Sequence, residues 1–302
     1  MNDPYSYPNT NILKNKFGIK DKTKLNIIER NKANKRLIEL KLNPITGQYD
    51  LKHLQKIHKH IFQDIYTWAG ELRTVNIGKG QNFFCLLQHI DYAQKDIFNS
   101  LKKDNYLNGL NLNDSVNKLA YYLGEINMLH PFREGNGRTQ RAFIEQLALK
   151  NDLYLKFPAN REEMIKASIH SSQINNDEFA KIISNNICSV KSLENIENFS
   201  KPLKNLKWSA PSDELYKAAA KEAMQQGGSF KFDNPNNEHE LSTDKIVMQK
   251  LVDKGISPQR IKEVMKHSPQ IEGKNPAEKA IKLQQFSKQL EKIPSLSKEL
   301  ER

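Results

Sequence analysis

Cysteine is nearly absent: Cys85 and Cys188 are the only two in a chain of 302 residues. They stand far apart and neither has metal-ligand spacing to a partner. A disulfide framework and a cysteine-built zinc site are thereby excluded, and a reducing cytoplasm is the simplest setting. No apolar run approaches the ~18–20 residues that a helical membrane span requires. The opening residues, MNDPYSYPNT, lack the apolar segment of a secretory leader. No internal repeat is evident. Acidic residues are outnumbered, 35 against 47 basic, which leaves a net charge of +12 and favours acidic partners such as nucleic acid, a membrane surface or a secretion receptor. A solvated lysine-rich surface would give the same balance.

What the chain does have is concentrated in residues 130–141, HPFREGNGRTQR. The preceding residues, Asn113 to Leu129, place Val116, Leu119, Ala120, Leu123 and Ile126 at helical steps, and Arg138 to Lys150 continues as a second helix. Gly135-Asn136-Gly137 therefore forms a turn at the N-terminus of a helix, where unpaired N–H groups and the helix dipole attract anions. Glycine lets a phosphate approach the backbone closely. Arg138 and Arg141 share one helix face and can reach the same ligand. Glu134 is placed to hold Mg²⁺ against phosphates, and His130 to act as a base. Together these groups describe transfer from a nucleoside triphosphate.

The string matches HxFx(D/E)GNGRxxR at every fixed position. It resembles the Fic family, as do the flanking helices and the upstream segment WAGELR. The phrase LKNKFGIKD is similar to the N-terminal arm of Fic proteins from toxin–antitoxin modules and their secreted effector relatives. The resemblance implies an all-α fold with one β-hairpin flap over residues 1–198. A linker at 199–212 and a helical accessory region at 213–302 would follow.

Along the chain, Tyr5, Tyr7, Leu13, Phe17 and Ile19 are expected to anchor an irregular arm. Thr23 is expected to cap a helix to about Leu42, and Asp50 to start one carrying Leu51, Leu54, Ile57, Ile61 and Ile65 on one stripe. His53, His58 and His60 lie on that helix, but no cysteine or carboxylate completes a metal site with known spacing. Thr74 to Ile77 reads as a strand, GKGQN as a turn and Phe83 to Leu86 as the returning strand. An exposed hairpin edge can capture an extended peptide. In Fic proteins this is the flap, so Thr74, Val75, Asn76, Ile77, Gly78, Lys79 and Gly80 are the expected target-docking residues. Later helices are expected over 91–103, 161–171, 177–187, 213–226, 243–254, 257–267 and 276–293. The tail from 200 on carries 19 basic and 14 acidic residues. Its helix pair around Gly255 could serve as a DNA-binding helix-turn-helix or as a secretion-machinery contact.

By resemblance the activity is AMPylation: AMP moves from ATP to a Ser, Thr or Tyr hydroxyl of a target protein. His130 is the implied base. Gly135, Asn136, Gly137, Arg138 and Arg141 bind the phosphates, and Glu134 places Mg²⁺. A vestigial Fic domain on a nucleic-acid or secretion adaptor, or transfer of another nucleotide or phosphate group, are the rival readings. The expected location is the cytoplasm, with leaderless export through a secretion system as the effector variant. Many Fic proteins are restrained by a helix bearing (S/T)xxxE(G/N), whose glutamate pairs with the second motif arginine, here Arg141. The one match is Ser268, Glu272 and Gly273, beyond the linker. A separate small antitoxin that supplies the glutamate is the favoured arrangement.

Overall fold

The computed structural model describes residues 3–79, 82–158, 160–198, 200–225, 243–271, 274–291 and 293. These residues form twelve α-helices and two small antiparallel strand pairs, the helical architecture with a hairpin that the sequence implied. The first unit takes Met1–Gly109, Lys118–Leu147 and Ser168–Phe179. The second takes Leu110–Asn117, Ala148–Ala167 and Ala180–Arg302.

In the first unit, α1 (Lys22–Leu42) begins at Asp21, whose carboxylate accepts the Lys24 N–H; Thr23, the cap expected from the sequence, is already inside the helix. α1 packs on α2 (Leu51–Phe62), which Asp50 caps by accepting the His53 N–H at 2.8 Å. Of the expected stripe, Leu54, Ile57 and Ile61 are fully buried on α2, Leu51 is half-buried, and Ile65 is buried beyond the helix end at Phe62. In the N-terminal arm Leu13 is buried, but Phe17 is 45% exposed and anchors nothing. Tyr5 meets Trp68 edge-on, with ring centroids 5.4 Å apart.

The hairpin differs from expectation. Its strands are β1 (Gly78–Lys79) and β2 (Asn82–Phe83), which lie in the stretch read as a turn except for Phe83, expected on the returning strand. Residues 74–77 are not a strand because their ladder groups are engaged elsewhere. The Thr74 N–H donates to the Tyr5 hydroxyl at 3.0 Å, and the Val75 carbonyl accepts from the Arg73 guanidinium at 2.7 Å. On the returning limb the Cys85 N–H donates to the Met128 carbonyl at 2.9 Å, and the Cys85 carbonyl also accepts from Arg73. Then follow α3 (Ile90–Lys103), α4 (Leu112–Leu129) and α5 (Asn136–Lys150), the last two flanking a loop at 130–135, with the rest of the 130–141 stretch in the first turns of α5.

A second pair, β3 (Leu153–Leu155) with β4 (Ile187–Ser189), was not visible in the sequence, being three residues a side. Between these strands lie α6 (Arg161–Gln173) and α7 (Asp177–Asn185); α8 (Val190–Glu197) follows β4. Next come α9 (Ser212–Gln225), α10 (Thr243–Asp253), α11 (Pro258–Met265) and α12 (Pro276–Leu290). Ser257 caps α11 with Pro258 at its first turn, as the sequence indicated. Ile196 of α8, Leu203 and Leu206 share one core with Leu215, Tyr216, Val247 and Ile261. Residues 200–212, read as a linker, thus carry two leucines into that core.

Ser268 is fully buried there. Its hydroxyl donates to Asp244 at 2.8 Å, and the Tyr216 hydroxyl donates to the same carboxylate at 2.6 Å. Ser268 lies after the end of α11, in a turn, so it does not form the helical start of an inhibitory motif. Glu272 and Gly273 lie outside the described residues.

Candidate active site

α4 ends at Leu129, and His130 enters the left-handed region at φ 43°. That conformation disfavours any residue with a Cβ, so surrounding bonds must hold it. The His130 N–H donates to the Ile126 carbonyl at 3.1 Å, and its own carbonyl accepts from Arg73 Nε at 2.8 Å. The ring is set by Nδ1–H, which donates to the Asn127 carbonyl at 3.0 Å. A carbonyl can only accept, so the proton sits on Nδ1 and the basic lone pair on Nε2. Phe84, on the returning limb of the hairpin, stacks on this imidazole with centroids 3.6 Å apart and planes 16° from parallel.

Beyond His130 the loop is braced from inside. Phe132 stacks on His58 at 3.9 Å. The Asn136 side chain closes on Phe132 from both ends, accepting its N–H at 2.9 Å and donating to its carbonyl at 2.7 Å. This corrects the expectation that the Asn136 side chain serves the phosphates: its amide oxygen and one amide N–H are engaged by the Phe132 backbone. Gly135 sits at φ 83°, and a Cβ there would lie 2.3 Å from the Phe62 ring. Glycine is required twice over, for conformation and for space.

The charged groups follow. The Glu134 carboxylate accepts the Gly135 N–H at 2.8 Å and lies 3.6 Å from Arg138. Arg138 stacks over Phe62 at 4.6 Å and donates to Glu29 of α1 at 2.6 Å. The second oxygen of Glu29 accepts from the Tyr66 hydroxyl, which burial and the Glu29 charge hold well above the usual phenol range. Arg141 folds back over the turn, with one guanidinium nitrogen 3.2 Å from where a Gly137 Cβ would stand. Burial, aided by the neighbouring Arg138 charge, lowers its pKa to about 10. Among the described residues it has no hydrogen-bonded or ion-paired carboxylate, Glu145 acting on it only at a distance. Also among the described residues, no three His, Cys, Asp or Glu side chains cluster as a protein-only metal cage. Glu134 offers a carboxylate in the loop itself, whereas both oxygens of nearby Glu29 are taken by Arg138 and Tyr66. One carboxylate is what Mg²⁺ uses when substrate phosphates complete its shell, so the donor set fits that ion.

Of the expected docking residues, Thr74 and Gly78 are exposed and Val75 and Ile77 half-buried. The Asn76 amide oxygen accepts the Leu87 N–H at 2.7 Å, and the Ile77 carbonyl accepts the Phe84 N–H at 3.3 Å. Lys79 pairs with Asn82 through the backbone, and Gly80 lies outside the described residues.

Three residues that shape the site were missed by sequence reasoning. Glu29 is 109 positions from Arg138, and nothing in its local sequence marks it. His58 accepts the Gly70 N–H on Nδ1 at 2.8 Å and donates Nε2–H to the Glu134 carbonyl at 2.9 Å. It ties WAGELR to the loop. Arg73 is the arginine of WAGELR; that segment was noted only as a resemblance.

A family model described as Fic/DOC matches residues 48–148. Protein adenylyltransferase VbhT of Bartonella schoenbuchensis is 41% identical over 187 residues, covering 62% of this chain and 39% of that protein. Probable protein adenylyltransferase Fic of Escherichia coli K12 is 37% identical over 161 residues, 53% of this chain and 80% of that one. Among solved structures, the N-terminal Fic domain of a VirB-translocated Bep effector from Bartonella quintana, with bound ADP, superposes with a TM-score of 0.58 at 28% identity. That alignment covers 63% of this chain and 97% of the domain. A cradle at a helix N-terminus, a histidine with its lone pair on Nε2, and relatives of which four-fifths is matched agree: the chain belongs to the Fic/DOC family.

Proposed function

We propose that this protein is an adenylyltransferase that moves AMP from ATP to a Ser, Thr or Tyr hydroxyl of another protein. The observation that carries the reading is one convergence. His130, with its proton on Nδ1, heads the loop that leads into the N-terminal turn of α5, and no carboxylate among the described residues is bonded to the Arg141 guanidinium on that helix. Relatives named protein adenylyltransferase support the same chemistry.

The hydroxyl loses its proton to His130 Nε2 as its oxygen attacks the α-phosphorus. A phosphodiester O–P bond forms, the α–β anhydride bond breaks, and pyrophosphate leaves. Backbone N–H groups of Asn136 and Gly137 and the two arginines stabilise the charge on the phosphates, while the Gly135 N–H is held by Glu134. Arg141 takes the outer phosphate. Arg138, held by Glu29, is a fixed rather than a mobile cation. A magnesium ion on Glu134 would neutralise phosphate charge. The hairpin edge aligns the target main chain.

Restraint comes from a separate small partner whose glutamate pairs with Arg141. In its favour, no carboxylate among the described residues is bonded to that guanidinium, and Ser268 is buried in the second unit. The C-terminal helices serve delivery or partner contact, in line with the VirB-translocated effectors whose Fic domains this chain resembles.

The test is incubation with α-labelled ATP and a bacterial lysate. His130→Ala is expected to lose about 10²–10⁴-fold in labelling while retaining ATP affinity, since the ring takes a proton and does not hold phosphate. Near-normal labelling by that variant would overturn the mechanism.

A further inference from the structure

Arg73 is a buried cation with no carboxylate beside it among the described residues. It is 1% exposed, and desolvation pushes its pKa down. Among the described residues its side-chain acceptors are all main-chain carbonyls. Nε donates to His130 at 2.8 Å, Nη1 to Val75 at 2.7 Å and Nη2 to Cys85. Its own N–H donates to the Pro131 carbonyl at 2.9 Å. Burying a charge without a counter-ion is costly, and such violations gather where function demands them.

The three acceptors belong to three segments. Val75 leads into the hairpin, Cys85 leads out of it, and His130 opens the motif loop. Only a planar guanidinium presents donors that reach all three at once; a lysine ammonium has one nitrogen. The Cys85 N–H adds a bond to the Met128 carbonyl, and the adjacent Phe84 ring lies on His130.

We infer that Arg73 is a positioning residue that locks both limbs of the hairpin to the backbone of His130, so that a target strand docked on the hairpin and the base that deprotonates it share one frame. This rests on the adenylyltransferase reading of the site. The hydroxyl of a docked strand must fall within hydrogen-bond reach of Nε2. A slip of about 1 Å in such an arrangement costs roughly 10²-fold in rate.

Arg73→Lys keeps the charge and removes the fork. Labelling of lysate proteins from α-labelled ATP is expected to fall roughly 10²-fold, while the Kd for AMPPNP, measured by calorimetry, stays unchanged. A role confined to stability would not move the second readout, the His130 Hε1 resonance, which the Phe84 ring current shifts upfield. In the lysine variant that resonance should move downfield as the limb releases the ring. Wild-type labelling with the resonance in place would overturn the proposal. If the wild-type protein transfers no AMP, the functional reading fails and the resonance still decides the clamp. If the lysine variant does not fold, amide exchange of the wild-type protein decides. Equal protection at Arg73, Cys85 and His130 supports one locked frame, and fast exchange at Cys85 alone refutes it.

Discussion

His58 of α2 contacts the loop that His130 opens, and the two rings hold their protons on opposite nitrogens. His130 carries its proton on Nδ1, facing the Asn127 carbonyl, whereas His58 accepts the Gly70 N–H on Nδ1 and donates from Nε2 to the Glu134 carbonyl. Burial holds the His58 pKa near 4, against 6.5 for a solvated ring. Between those values the unfolded chain binds a proton that the folded chain refuses, so acid favours unfolding. The stabilisation is complete above about pH 6.5 and lost as pH falls toward 4; over that window it amounts to about 3 kcal/mol. Denaturant midpoints measured across this range should fall more steeply for the wild-type protein than for His58→Gln. Parallel curves would mean that His58 titrates normally.

At the scale of elements, the 130–141 stretch was legible because its groups are contiguous and their spacing fixes a helix N-terminus. The starts of α2 and α11 were legible for a similar reason, since Asp50 and Ser257 cap them locally. The hairpin was misplaced because residues 74–77 have strand composition but give their backbone groups to Tyr5 and Arg73. No local pattern announces a partner 69 positions away. Glu29 and His58 escaped for the same reason. The corrected hairpin sharpens one test. The Ile77 carbonyl, not its N–H, accepts from Phe84 within the hairpin. Ile77→Pro therefore removes the N–H on the same side of the chain as that carbonyl and disturbs the pairing of the two limbs. Target labelling should drop while ATP affinity holds. Equal loss of both would make the hairpin purely structural.

Across the whole molecule, residue 198 falls inside a core, because Ile196 is buried with Leu203, Leu206 and the α9–α11 residues. A 1–198 fragment should therefore expose apolar surface, seen as dye binding and a lowered Tm relative to the full chain. A fragment as stable as the full chain would show that the Fic part is independent of that core. The scarcity of cysteine has its own consequence. Cys188 is buried and Cys85 is half-buried at the foot of the hairpin, its thiol pKa raised by burial. The unaltered protein thus carries a single addressable sulfhydryl, at the spot where the hairpin joins the loop. Its alkylation half-life is a built-in clock for how often those parts separate, readable without any engineered label.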